Sequence, residues 1–254
     1  MFIGVFTCVQ LVDSKIDQID EIGELRLEEI KSEFEAKLIS SENSLAKFAT
    51  ESQRMLTSNM SLRDLEAYIV TQKDDQYMRT EGECFNVYAA NDKWTIIPDF
   101  DMPSDYHATE RLWYLGAIDS AGEIYVTEPY IDSMTGKMCF TASKMLDDRK
   151  TVVAMDFTLS EVQKSIIKMM GGNDYKAIIV TRDGMVVGFT DMSVVGTKAK
   201  ISLPEYSDVL TQVIASKEHD RFQAVINDNK VTVFSSETHN GWYMILCIND
   251  DVLY

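Results

Sequence analysis

The chain has 254 residues, 45% hydrophobic and 26% charged, with only 4 prolines and 12 glycines, a balance that folds into one large domain or two small ones. Its formal charge of −17, from 24 basic against 41 acidic residues, repels phosphate backbones and anionic headgroups and so argues against nucleic-acid binding. No zinc-finger spacing, P-loop or Gly-x-Gly-x-x-Gly occurs, and His107, His219 and His239 are too scattered for a metal centre; no metal and no cofactor is expected.

The first 12 residues, "MFIGVFTCVQLV", are apolar and then give way to acidic sequence. A spanning helix needs about 20 apolar residues, and a signal peptide has a basic start and a small-residue cleavage site. Two readings remain: the outer end of a transmembrane helix, or the apolar start of a long packed helix. The first is favoured, because the sequence also stops abruptly at "INDDVLY". From Asp13 to Met55 apolar residues recur at steps of three and four (Ile16, Ile19, Ile22, Leu27, Ile30, Phe34, Leu38, Leu45, Phe48), and no proline interrupts them. About 40 residues make a rod of about 60 Å: a spine for smaller units or a coil for homodimerisation.

A second helix is expected from Ser61, with Asp64 completing a capping box. Near Gly82 the period changes. "CFNVYAANDKWTIIP" reads as strand, turn, strand, and the loop "DFDMPSDY" follows. Beyond the run Tyr106–Asp132 come two further strands, "KMCFTASKML" and "KTVVAMDFTL". Thr158 and Glu161 then form a capping box for a helix through Met170, broken by Gly171–Asp174. From Tyr175 a second unit begins with "KAIIVT" and "MVVGFT". A helix from Ser202, Pro204 and Glu205 to about Lys217 and the strands "RFQAVIN", "KVTVFSS" and "WYMILCIN" complete it. The expected fold is α+β: a spine over residues 1–60 (its apolar end at 1–12) and two modules, 61–172 and 173–254, each built on an antiparallel sheet.

The cysteines Cys8, Cys84, Cys139 and Cys247 form no Cys-x-x-Cys pair. Cys84 and Cys139 both lie in strand-like runs; a disulfide between them is one reading, and buried free thiols are the other and favoured one.

The chemistry concentrates in "YHATERLWYLGAIDSAGEIYVTEPYID", which holds five aromatic rings, one arginine and five carboxylates without an amphipathic period. An ordinary core uses Leu, Ile and Val there, which hide no polar atoms. A pocket for a small zwitterion accounts for the run. Arg111 has the planar fork that clamps a carboxylate, and Asp156 in "VVAMDF" supplies the opposing negative charge. Rings of Tyr106, Tyr114 or Tyr130 can surround an ammonium, and Trp113 adds an N–H donor and a wall. The plainer readings are that Trp113 and Tyr114 are core, that Arg111 pairs with Glu110 or Asp119, and that Asp132 caps a local turn.

The layout, with "RLWY" followed by "TEPYIDSMTGKMCFTASKM", resembles the double Cache family of extracytoplasmic sensor domains. That resemblance implies a long N-terminal helix and two PAS-like modules, a membrane-distal one that binds ligand (61–172) and a membrane-proximal one (173–254). It also implies a membrane-anchored parent whose absent output module is a histidine kinase, a cyclase or a chemoreceptor. One subset binds free α-amino acids through a pattern found here at Tyr106, Arg111, Trp113, Tyr114 and Asp156. In that subset the arginine and tryptophan serve the carboxylate, and the tyrosine and aspartate the ammonium. Tyr130 and Asp132 are further pocket positions. The expected function is amino-acid sensing without catalysis. The alternatives are a sensor for an amine or small carboxylate, a hydrolase using Asp132 and Asp156, and a structural dimerisation module. The second module lacks a comparable cluster and is expected to be empty or mechanical.

Overall fold

The computed structural model describes residues 2–132, 135–159, 164, 167, 175–216 and 221–250, with side chains from residue 20 onward. The fold is α+β, a long helix followed by two antiparallel sheets. Helix α1 spans Phe2–Thr57. Its buried positions Leu27, Ile30, Phe34, Leu38, Leu45, Phe48 and Met55 keep the three-and-four spacing that defines one apolar face. Among the described residues no helix is long and apolar enough to cross a membrane. The chain forms two compact units, Ala36–Glu161 and Met1–Glu35 with Val162–Tyr254, and α1 contributes to each.

In the unit Ala36–Glu161, α2 (Leu62–Arg79) starts at the expected capping box: Ser61 accepts from the Asp64 N–H, and the Asp64 carboxylate accepts from the Ser61 N–H. The strands are β1 (Cys84–Ala90), β2 (Thr95–Ile96), β3 (Ile124–Val126), β4 (Tyr130–Ile131), β5 (Met138–Met145) and β6 (Val152–Thr158). They form one antiparallel sheet in the order β2-β1-β6-β5-β3, with β4 also pairing β5. Between β2 and β3 lie a 3-10 turn, Ala108–Glu110, and helix α3, Leu112–Asp119. Neither α3 nor β3 was expected. Both are short, and α3 is apolar along most of its length, so no helical period stands out.

The second unit carries β7 (Tyr175–Val180), β8 (Val186–Gly188), α4 (Ala199–Ser202), α5 (Ser207–Ala215), β9 (Phe222–Ile226), β10 (Asn229–Glu237) and β11 (Tyr243–Asn249). Its strand order, β8-β7-β11-β10-β9, matches the first sheet: the opening and closing long strands lie side by side at the centre. Leu210 and Val213 of α5 pack on Ile178, Val233 and Ile245. Phe34 of α1 lies against Trp242, with ring centroids 5.7 Å apart.

The single helix expected from Ser202 to Lys217 is corrected. Ser202 ends α4, a 3-10 turn runs Pro204–Tyr206, and α5 starts only at Ser207. Proline lacks the N–H and disfavours helical backbone at the residue before it, and Leu203 accordingly leaves the helix at φ −130°. The helix expected from Thr158 to Met170 lies mostly outside the described residues.

Candidate functional site

β6 runs through the middle of the first sheet, and its register sets Asp156 opposite Asn86 of β1 and Thr141 of β5. The carboxylate is 2% exposed. Its Oδ1 accepts from the hydroxyls of Tyr88 and Thr141, each at 2.7 Å, and from Tyr130 at 3.4 Å. Burial pushes its pKa up to about 7; the hydroxyl donors oppose that rise, and the nearby Asp132 charge adds to it. The facing hydroxyls move too: burial and the Asp156 charge drive Tyr88 and Tyr130 well above the ordinary phenol range.

The opposite wall comes from α3. Trp113 is buried, edge-on to Tyr88 at 5.0 Å between ring centroids, and its carbonyl accepts from Ser143 Oγ at 2.8 Å. Those contacts fix the start of α3 against β5 and so aim Arg111, the residue before the helix. Arg111 is solvent-exposed, and its Cζ stands 4.4 Å over the Tyr106 ring. Tyr106 meets Phe100 edge-on at 5.2 Å. Arg111 pairs with no carboxylate of the described residues, neither Glu110 nor Asp119.

These groups enclose a cavity of about 140 Å³. At about 30 Å³ per water in the liquid that is room for about five waters, more than an ion needs and enough for a small organic molecule. Tyr106, Arg111, Trp113, Tyr130, Asp132 and Asp156 all line it. Asp132 also does what the plainer reading required: its Oδ1 accepts from the N–H and the hydroxyl of Thr135, both at 2.7 Å. One carboxylate is thus both turn cap and pocket wall. Tyr114 is not brought to the cavity; it is buried, and its hydroxyl donates to the Lys150 carbonyl.

Sequence reasoning missed Asn86, Tyr88, Ile97 and Ile131, which with Phe100 of the loop "DFDMPSDY" complete the lining. For Asn86 and Tyr88 a signal was available: they are two polar residues at alternate positions of an otherwise apolar strand, so they share one face of a buried sheet. In the second unit a more open groove of about 570 Å³ lies among Gly184, Ala199, Leu210 and Ile214, with Lys198 and Lys200 at its edge. Arg182 beside it is paired with Glu237 at 2.8 Å, so the groove does not oppose a free guanidinium to an acid.

Residues 42–164 match the family described as methyl-accepting chemotaxis protein-like, first PDC sensor domain. Methyl-accepting chemotaxis protein McpA of Bacillus subtilis is 27% identical over 175 residues, 68% of this chain and 25% of that protein. The sensory domain of the Campylobacter jejuni chemoreceptor Tlp3, solved with isoleucine bound, superposes with a TM-score of 0.74 at 14% identity, over 95% of this chain and 96% of that one. The ligand-binding domain of the Pseudomonas fluorescens chemoreceptor CtaA, in complex with L-serine, gives 0.66 at 20% identity, over 94% and 98%. At such identities the two structures establish a shared fold. The chain spans about a quarter of the length of the curated relatives it matches.

Proposed function

We propose that this chain, a sensor domain of the double Cache kind, is the ligand-binding region of a chemoreceptor and takes a free α-amino acid between Arg111 and Asp156. One observation carries the reading: a guanidinium without a carboxylate partner and a buried carboxylate line the same small cavity, together with tryptophan and tyrosine rings. An amino acid offers an anion and a cation a few ångströms apart. Arg111 and the Trp113 indole suit the carboxylate; Asp156, Asp132 and the Tyr106 and Tyr130 rings suit the ammonium. Charge-assisted bonds contribute about 1.5–3 kcal/mol each. Three or four of them total about 4.5–12 kcal/mol before the cost of immobilising the ligand, so the affinity is at most about 8 kcal/mol, micromolar or weaker, which permits release. Amino acids bound to the Tlp3 and CtaA domains support the same class.

In this reading residues 61–172 form the ligand-binding, membrane-distal module, 173–254 the membrane-proximal one, and 1–60 the spine, with the end of a membrane anchor at 1–12. The region lies outside the cytoplasm and has no catalysis of its own. Of the three output classes considered, the chemotaxis relatives support a chemoreceptor. The parent forms a homodimer along α1, and ligand closure shifts α1 against its partner, which requires unequal affinity for two states. Identical spin-label distances across α1 with and without ligand would rule the shift out.

Titration calorimetry and thermal-shift screening of the twenty amino acids test the main reading. At least one raises the melting point, and Arg111→Ala and Asp156→Asn each weaken the effect. A flat screen overturns it. An amine sensor is the second reading, favoured by two carboxylates facing one exposed guanidinium; its ligand survives Arg111→Ala and not Asp156→Asn.

A further inference from the structure

We infer that the cavity selects uncharged aliphatic amino acids, with Ile97, Phe100 and Ile131 forming the side-chain subsite; the inference rests on the amino-acid reading above. The polar lining is already committed to the two charge poles. Tyr88 and Tyr130 donate to Asp156, and Tyr106 lies under Arg111. Asn86 Oδ1 is held by the Val87 N–H at 3.0 Å, and Asp132 Oδ1 by Thr135. What remains of the lining is hydrocarbon: Ile97 just after β2, Phe100 from the following loop, and Ile131 from β4. Phe100 meets Tyr106 edge-on at 5.2 Å, so this wall adjoins the Arg111 pole. It is positioned to receive the third substituent on the ligand's α-carbon.

An amide side chain entering there meets only hydrocarbon and leaves a desolvated polar group unpaired, and a basic one competes with the ligand's own ammonium for Asp132 and Asp156. An acidic side chain also meets Asp132 and Asp156, against a single guanidinium that the main-chain carboxylate occupies. Each methylene buried against the wall gains about fourfold in affinity. The cavity of about 140 Å³ stops that ladder once it is full.

The test is calorimetry of the unmodified chain with glycine, alanine, valine, leucine, asparagine, aspartate and arginine, repeated on Phe100→Ala and Ile131→Ser. Ile131 is 66% exposed, so its replacement is tolerated by the fold even if Phe100→Ala is not. Expected is a rise of about fourfold per added carbon from glycine to valine. Asparagine, aspartate and arginine bind at least tenfold more weakly than valine. In the two variants the aliphatic ladder flattens, the loss in affinity growing from glycine to valine. Amino acids that bind with a flat ladder, or with asparagine, aspartate or arginine tighter than valine, overturn the subsite and leave the amino-acid reading standing. A chain that binds none of them overturns both.

Discussion

The Tyr88 hydroxyl donates to Asp156 Oδ1 at 2.7 Å across the β1–β6 pair, so the phenol orients the more deeply buried of the cavity's two acids. Replacing either partner therefore separates charge from orientation. Asp156→Asn keeps the shape and removes the charge, and amino-acid affinity is expected to fall roughly 10- to 100-fold, the range of a charge-assisted bond. Tyr88→Phe removes one neutral donor and is expected to cost about threefold to tenfold. Calorimetry on the two variants decides: equal losses, or a greater loss in Tyr88→Phe, would mean that the Asp156 charge does not hold the ligand.

The raised Asp156 pKa has opposite consequences for stability and for binding. Burial lifts it from the ordinary value near 4 to about 7, so the folded protein holds more protons than the unfolded chain in that window. Ligand-free stability accordingly falls as pH rises from about 4 to about 7. An ammonium needs the ionised acid, so affinity falls about tenfold per unit as pH drops below about 7 and levels off above it. Melting curves and calorimetry from pH 5 to pH 8 should give these opposed slopes, and Asp156→Asn should flatten both. Affinity independent of pH in the wild type would contradict the assignment of Asp156 to the ammonium.

Much of this site was legible because its chemistry is packed into one contiguous run. Tyr106, Arg111, Trp113, Tyr130 and Asp132 lie within 27 residues, and residue type alone marks them as a poor core. Asp156 was legible as an acid in an apolar strand. Tyr88 was not, because its partnership depends on the pairing of β1 with β6, and register between strands about 65 residues apart is written in no local pattern. Tyr114 erred the other way: adjacent to Trp113 in sequence, it points elsewhere because neighbours on a helix diverge by about 100°. The spine was readable from Ile30, Phe34 and Leu38, whose spacing is itself the helix geometry. At Pro204 the sequence did carry the break, but its early proline was read as a helix start.

Cys84 and Cys139 are free and buried, and β6 lies between them: Cys84 pairs with Phe157 and Cys139 with Thr158. Two strand spacings come to about 9.5 Å, beyond the roughly 7 Å a disulfide can bridge. Burial and the Asp156 charge push both thiols up, away from the reactive thiolate. In a Cys8→Ser background, dithiothreitol should leave the melting point unchanged, and an aromatic disulfide reagent should label neither cysteine until denaturant is added. Rapid labelling of the native protein would contradict this burial.

Gly116 leaves no room for a side chain between α3 and Tyr125 of β3: a Cβ there would lie 2.1 Å from the Tyr125 Cε1. Alanine favours a helix over glycine by about 1 kcal/mol, and an overpacked contact costs about 1–3 kcal/mol. The clash involves a ring backed by its own strand, so the cost wins and Gly116→Ala is expected to lower stability by about 1 kcal/mol. Relief requires α3 to lift, carrying Trp113 and Arg111 with it, so amino-acid affinity should fall about tenfold although Gly116 does not line the cavity. Tyr125→Ala is the control. On that background the clash is gone, only the helix preference remains, and adding Gly116→Ala should be neutral or stabilising. If alanine at 116 weakens binding equally with and without the Tyr125 ring, helix–sheet spacing is not what holds the arginine in place.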